Sequence, residues 1–314
     1  MRNNIVVSVF CPTYNHSDYI KQCLDSIVMQ ITKFQFEVFV QDDASTDNSQ
    51  QIIRTYSDKH DFIIPVLHKE NIFSKGGNLN EYVFNNARGE YIAICEGDDY
   101  WTDPYKLQKQ VDYLDKNKEV SICCHWHENI DSNNKSNKEF WDVTKCPELF
   151  DTTDAIRGVT THPNTWMFRN CNLKFPSVFT KIPGGDDPLL LMILNNGKGH
   201  CIKETMSAYR LHKESIWNPL SITQKTINTL IYNFNIHRFC KKNYDVQILK
   251  ERKIIEQNFI YESINESSHF NIFKTIILQL FKYGIPKSFL IKLYFKYVCT
   301  LIKHSIKKKL TTIK

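Results

Sequence analysis

The 314-residue chain is sparing with the residues that interrupt regular structure: it has 10 Gly and 10 Pro. That excludes collagen-like and linker-dominated organisation. No segment approaches the roughly 18 uncharged apolar residues of a membrane span. The N-terminal MRNNIVVSVFCPTYN has too short an apolar run for a signal peptide and no small-residue cleavage site. The 10 cysteines contain no CxxC pair, and several lie inside apolar runs, as buried thiols do and disulfide frameworks do not. A cytoplasmic protein in a reducing compartment is expected. Acidic residues are missing altogether after Glu266.

What is present belongs to a folded globular protein: 42% hydrophobic, 13% aromatic and 24% charged residues, a mixture that excludes disorder as the main theme. The net charge of +6 is unevenly spread, with 17 Lys/Arg against 5 Asp/Glu in residues 221–314. The remainder is therefore net acidic, and a basic C-terminal region attached to an acidic body points to an anionic partner. Nucleic acid is not expected, because no binding motif accompanies the charge.

The first hundred residues alternate between strand and helix patterns. Ile5–Cys11 is a continuous β-branched run, the mark of a strand buried on both faces. Tyr19–Gln30 repeats its apolar residues at helical spacing, Phe36–Val40 reads as a second strand, and Asp47–His60 as a second helix. Phe62–Leu67, helix Asn78–Ala87 and strand Glu90–Cys95 continue the series. Short connections imply parallel strands with right-handed crossovers, an α/β sheet. A helix at Lys106–Lys116, a strand at Val120–His127, an exposed polar loop at 129–139, a short helix at Leu189–Leu194 and a strand in HCIKETMSAYRLH follow. No internal repeat is visible, and the change to long Lys-rich helical patterns near 218–220 divides residues 1–218 from 219–314.

In such sheets ligands bind beyond the carboxyl ends of the strands, where CPTYN, QDDAST and EGDDYW fall. Asp42 and Asp43 stand ahead of a helix start that Ser45, Thr46 or Asp47 can cap, so one carboxylate is available to accept the N3–H of a uracil ring. Glu96, Asp98 and Asp99 repel one another unless solvated, paired or bridged by a hard divalent ion. In GGDDP one of Asp186 and Asp187 can cap the helix beside Pro188, which frees the other, Asp186, to act as a general base. CCHWH (Cys123–His127) lacks a second spaced ligand pair, so a tetrahedral zinc site is not expected there.

VSVFCPTYN, QDDASTDNS, ARGEYIAICEGDDYW, PGGDDPLLL and YRLH…SIW, in that order, make residues from about Ile5 to Trp217 resemble the inverting family-2 glycosyltransferases of GT-A fold. The likeness is greatest to the bacterial branch that builds capsular or lipopolysaccharide glycans. The resemblance implies a Rossmann-like sheet and transfer of a hexose from a nucleotide sugar, UDP-linked, to a glycan or lipid-linked acceptor. It places Pro12, Tyr14 and Asn15 against uracil and ribose, Asp43 at the uracil edge and Asp98 on the ribose. Asp99 is placed on Mg²⁺ or Mn²⁺, with His212 as a further candidate ligand. Glu96, where the family usually has Asp, and Trp217 lie with the diphosphate and sugar. Asp186 matches the catalytic base, with Asp187 as its alternative because no aromatic follows the first acid.

Lys292, Lys296, Lys303 and Lys307 fall within about 60° of a helix circumference. Leu290, Tyr294, Val298 and Leu301 lie roughly opposite. Such a helix fits an anionic membrane surface, and equally one that packs its apolar face on the domain. Peripheral contact at the inner face of the cell membrane is therefore an expectation. Two other functions fit an α/β chain with acidic strand ends: a sugar-1-phosphate nucleotidyltransferase and a non-catalytic glycan-binding scaffold. The first expects a Gly-rich, basic loop after strand one, whereas CPTYNHSD has neither Gly nor Arg nor Lys.

Overall fold

The computed structural model describes residues 2–136, 146–157, 159, 161–171 and 186–212. The chain divides into two compact units, Met1–Thr180 with Asp186–Lys213, and Lys181–Gly185 with Glu214–Lys314. Only the first contains described residues. The basic helix at 287–307, the boundary at 218/219 and Trp217 lie outside them.

Strand β1 (Arg2–Thr13) is central, pairing in parallel with β2 (Phe34–Asp42) on one side and β4 (Tyr91–Ile94) on the other. β3 (Ile63–Leu67) extends the parallel run beyond β2. Period-two alternation sends Val7, Val9 and Cys11 into one apolar cluster and Phe10 into another on the opposite face. The first cluster is closed by α1 (Ile20–Val28), α2 (Ser49–Ser57) and α4 (Lys106–Lys116). Ile20, Cys23, Leu24 and Ile27 of α1, spaced at three and four residues, are fully buried there. The larger of them contribute about 1.5–3 kcal/mol each relative to exposure. The second face is covered by α3 (Asn80–Asn86) and α6 (Asp186–Leu194). α6 is apolar around its whole circumference from Pro188 to Leu194, and all seven of those residues are buried.

The α/β expectation holds, but the sheet is mixed rather than one parallel run. Its order is β3-β2-β1-β4-β8-β6-β9-β5, with β7 (Leu149–Phe150) pairing β9 from off this path. β8 (Met167–Arg169), only three residues long, lies antiparallel between β4 and β6. β6 (Val120–Asp131) and β9 (Lys198–Leu211) form a second parallel pair. β6 continues through Asn129 and Ile130, both buried, where a solvated loop was expected. Two-residue β5 (Tyr100–Trp101) pairs antiparallel with β9 and anchors the end of the acidic turn. Helix α6 starts at Asp186, three residues before the expected Leu189, so Pro188 sits within its first turn, where no intrahelical N–H is required. A short helix, α5 (Thr152–Arg157), completes the described elements.

Candidate active site

The loops after β1 and β2 are tied together. Asn15, at φ 54°, donates its backbone N–H to Ser45 Oγ at 2.8 Å and accepts the Thr46 N–H on Oδ1 at 2.8 Å. Asp42 is buried and structural: it accepts the Ser45 N–H at 2.9 Å and Gln50 Nε2 at 2.7 Å. Asp43 is also buried, and its two oxygens accept the N–H groups of Ile72 at 2.6 Å and Phe73 at 3.1 Å. Tyr14 is left 44% exposed beside them and Phe73 45%. Pro12, whose ring nitrogen has no hydrogen to give, offers its carbonyl to the Gly97 N–H at 2.9 Å.

That bond docks the acidic turn onto β1. A Cβ at Gly97 would lie 2.5 Å from Thr13 Oγ1 and 3.0 Å from both His16 Nδ1 and Ile20 Cδ1. The close approach therefore requires glycine. It brings Asp98 Oδ2 to 2.9 Å from His212 Nε2 and 3.6 Å from His16 Nε2. Burial opposes ionisation of Asp98, but the two imidazoles outweigh it and hold the carboxyl well below the usual carboxylate range.

Asp99, one residue on, faces inward. Its oxygens accept Asn164 Nδ2 at 2.9 Å and the Arg210 N–H at 2.8 Å, and it is 1% exposed. Burial and the adjacent Asp98 charge push its carboxyl up. Glu96 Oε2 lies 3.5 Å from His162 Nδ1, as does Asp99 Oδ2. Glu96 is pushed up by burial first and then by the charges of Asp186, Asp99 and Asp98. Burial likewise lowers His162, to about 3.

Asp186 opens α6 and lies near enough to Glu96 for its charge to be the largest electrostatic push on that carboxyl. Its surface remains open to solvent, yet the protein packed around it and the Asp187 charge raise its carboxyl to about 7. Asp187 is the second residue of the helix. The arrangement therefore collects Pro12, Tyr14, Asn15, Asp43, Glu96, Asp98, Asp99, Asp186 and His212 around the carboxyl ends of β1, β2 and β4. Of CCHWH, His125 is a buried core imidazole and His127 is buried with its ring 5.6 Å from that of His162, behind the acids; both are pushed down by desolvation, His127 to about 4.

Sequence reasoning missed His16, His162, Asn164 and Arg210. Arg210 is 2% exposed and donates to the Asp98 carbonyl, Asn134 Oδ1 and Gln22 Oε1, each at 2.8 Å. Its backbone N–H holds Asp99, and its guanidinium lies 4.8 Å over the Tyr19 ring. One residue thus fixes both acids of the turn. Its place inside YRLH was the available signal. His162 and Asn164, on a short 3-10 turn, had none.

The acid–imidazole donor set fits a divalent cation. Glu96 Oε2, His16 Nδ1 and His212 Nδ1 are buried without a hydrogen-bond partner, and carboxylate oxygen and imidazole nitrogen both ligate divalent cations. Glu96, Asp99 and His162 place one ligand atom each within 4.8 Å of one another.

Residues 8–174 match the model of glycosyl transferase family 2. This chain belongs to that family. Among its relatives, an uncharacterized protein of Mycobacterium tuberculosis is 35% identical over 224 residues, 68% of this chain and 60% of the relative. The chain thus spans about 60% of the length of that mycobacterial relative. A poly(ribitol-phosphate) beta-glucosyltransferase of Bacillus spizizenii is 36% identical over 95 residues, 30% of this chain and 15% of the relative.

Two solved structures share the fold. S. aureus TarS 1-349 in complex with UDP-GlcNAc has a TM-score of 0.60 at 18% identity, covering 89% of this chain and 78% of that one. The Pyrobaculum calidifontis mannosyltransferase PcManGT, in complex with GDP-Man and Mn²⁺, has a TM-score of 0.58 at 15% identity, covering 96% and 87%. The GT-A expectation is thereby met. Among the described residues no helix is long and apolar enough to cross a membrane.

Proposed function

We propose that the chain is an inverting, metal-assisted glycosyltransferase that moves a hexose from a UDP-sugar to a glycan or lipid-linked glycan in surface-polysaccharide synthesis. The observation that carries the reading is the meeting of three groups at the strand ends. They are Asp98 beneath two imidazoles, Glu96 with an orphaned buried oxygen, and Asp186 with a carboxyl near neutrality. Tyr14, exposed at the rim, offers its face to a base. For Asp43 to read a uracil edge, the loop carrying Ile72 and Phe73 must yield one of the two N–H bonds it gives that carboxylate.

Asp98 and His212 would hold the cation, with His16 behind them and Glu96 and His162 as further ligand candidates. Asp99 already accepts one bond on each oxygen, which suits an anchor of the turn better than a ligand. Mg²⁺ or Mn²⁺ held there would supply charge stabilisation to a leaving diphosphate. Asp186 then takes the proton of an acceptor hydroxyl as that oxygen attacks the anomeric carbon. A base near pKa 7 is half-ionised at neutral pH and well matched to the task. Direct attack of the acceptor oxygen on the anomeric carbon, with the diphosphate leaving in the same step, would invert that carbon with no covalent enzyme intermediate.

The polymer acceptor is suggested by the poly(ribitol-phosphate) substrate of the Bacillus relative. A catalytic body at 1–218 and peripheral membrane contact through 219–314 rest on the charge pattern of the sequence. Calorimetric titration of UDP, GDP and CDP, with Mn²⁺ and then with EDTA, tests the donor class. UDP-selective, metal-dependent heat supports it, and silence from all three nucleotides overturns it.

A further inference from the structure

A second cluster of ligating side chains lies away from the acidic turn. Cys124 of β6 and Cys201 of β9 are register partners across the parallel pair, so their side chains leave the sheet on the same face. Cys146 approaches that face from the segment before β7. The three Sγ atoms all lie within 4.8 Å of one another. Cys124 and Cys201 are buried, and Cys146 is half-buried at the edge of the core.

None of the three has a strong partner elsewhere. The distance from Cys124 Sγ to the His200 carbonyl is 3.4 Å, from Cys146 Sγ to the Pro147 carbonyl 3.6 Å, and from Cys201 Sγ to the Ile202 carbonyl 3.9 Å. The surroundings are largely apolar, with Ile122, Phe150, Trp166 and Leu194 in the same cluster, and the imidazoles of His127 and His200 are near enough to act on Cys201. The simplest alternative is that thiols are filling core volume, as Cys11, Cys23 and Cys95 do on the opposite face. There the contacts run in a chain, Cys11 to Cys23 and Cys23 to Cys95 at 3.7 Å each. Cys124, Cys146 and Cys201 differ in closing a triangle.

We propose that Cys124, Cys146 and Cys201 form a three-thiolate site for a soft d¹⁰ cation, Zn²⁺ foremost. Zinc–sulfur bonds of about 2.3 Å need three sulfurs on one side of the ion, which the mutual proximity supplies. Each coordinating thiol gives its proton to solvent, so uptake releases protons and weakens as pH falls. The position of Cys146 at the edge of the core provides the entry side and leaves the fourth coordination position to water. Oxygen-preferring Mg²⁺ or Mn²⁺ is excluded from such a sulfur site, so the two metal sites of the protein select different ions.

The probe is Co²⁺, added to the purified full chain in a phosphine reductant and then displaced by Zn²⁺. The expected result is a thiolate-to-cobalt charge-transfer band that saturates at one equivalent and vanishes on addition of one equivalent of Zn²⁺. Carboxylates and imidazoles at the acidic turn cannot produce that band. Cys146→Ser, at the half-buried position, should lose most of it while its circular dichroism stays that of the parent. Cys171→Ser, at an exposed thiol outside the cluster, should keep the whole band. No band in the parent, or a band undiminished in Cys146→Ser, overturns the proposal.

Discussion

Replacing Asp186 by Asn keeps its size and removes its capacity to take a proton. General-base assistance is worth roughly 10²–10⁴ in rate, so kcat should fall by that factor, about 2.7–5.5 kcal/mol of barrier. UDP affinity, set at the other strand ends, should change less than about threefold. The pH profile separates loss of a base from loss of structure. With the carboxyl at about 7, the active fraction is about one-tenth at pH 6 and nine-tenths at pH 8, so parental kcat climbs with pH across that interval. In Asp186→Asn the climb should disappear. The same change removes the largest electrostatic push on Glu96, whose carboxyl should titrate lower in the variant. Donor turnover followed by released UDP, from pH 5.5 to 9, measures the rate and its pH profile, and calorimetric titration of UDP measures the affinity. If Asp187→Asn abolishes turnover and Asp186→Asn retains the rising limb, the base assignment is wrong.

Asp98 and Asp99 should part company on substitution. Asp98→Asn should lower Mn²⁺-dependent UDP affinity at least tenfold and also lower the melting temperature, because two imidazoles stabilise its carboxylate, whereas Asp99→Ala should act on stability alone, leaving the Arg210 N–H unpaired and Asn164 Nδ2 with only the Ala208 carbonyl, at about 1–3 kcal/mol; equal losses of affinity in both would contradict the division. Gly97→Ala forces Thr13 and His16 away from the turn and should cost about 1–3 kcal/mol by denaturant unfolding, together with a weaker metal response. Lys106 is buried with Nζ 4.1 Å from the centroid of the Trp101 ring and no hydrogen-bond partner, and desolvation lowers it to about 7. Between that value and the unfolded pKa of about 10.4 the unfolded chain binds more protons, so parental stability rises with pH across that window. Lys106→Met should flatten the rise and stabilise the protein below pH 7, read from unfolding curves at pH 6.5 and 9.

The parallel half of the sheet was legible because each of its strands carries its own local signature. β1 is a β-branched run, and α1 shows its inward face at three- and four-residue spacing. β8 escaped because three residues are too few to display a period, and its place is decided by partners on β4 and β6 far away in sequence. The reading of 129–139 as solvated failed at Asn129 and Ile130 for a related reason, since polarity of a window does not report the partner strand β9 that continues beside it. At the site, the acids were visible as clusters but their division of labour was not. Asp98 and Asp99 are adjacent in sequence, yet strand-end geometry turns one toward imidazoles and the other toward Arg210 and Asn164. Arg210 and Asn164 act through bonds spanning 111 and 65 residues, a distance over which no motif spacing speaks.

The Asn15 clamp bears on how fast a donor can arrive. Asn15 and Ala44 both hold left-handed backbone, at φ 54° and 62°, a strain of about 1–2 kcal/mol at a residue with a Cβ. The bonds from Asn15 to Ser45 and Thr46 hold that conformation before any nucleotide is present. The ordering entropy of the base-binding rim is therefore paid during folding rather than at encounter. Nucleotide association should accordingly show no isomerisation of the Asn15 rim, and any plateau in its rate should come from the loop that must release Asp43 from Ile72 or Phe73. Asn15→Ala removes the Oδ1 bonds to Thr46 but keeps the backbone bond to Ser45, so it should loosen one side of the rim and slow capture more than it speeds release.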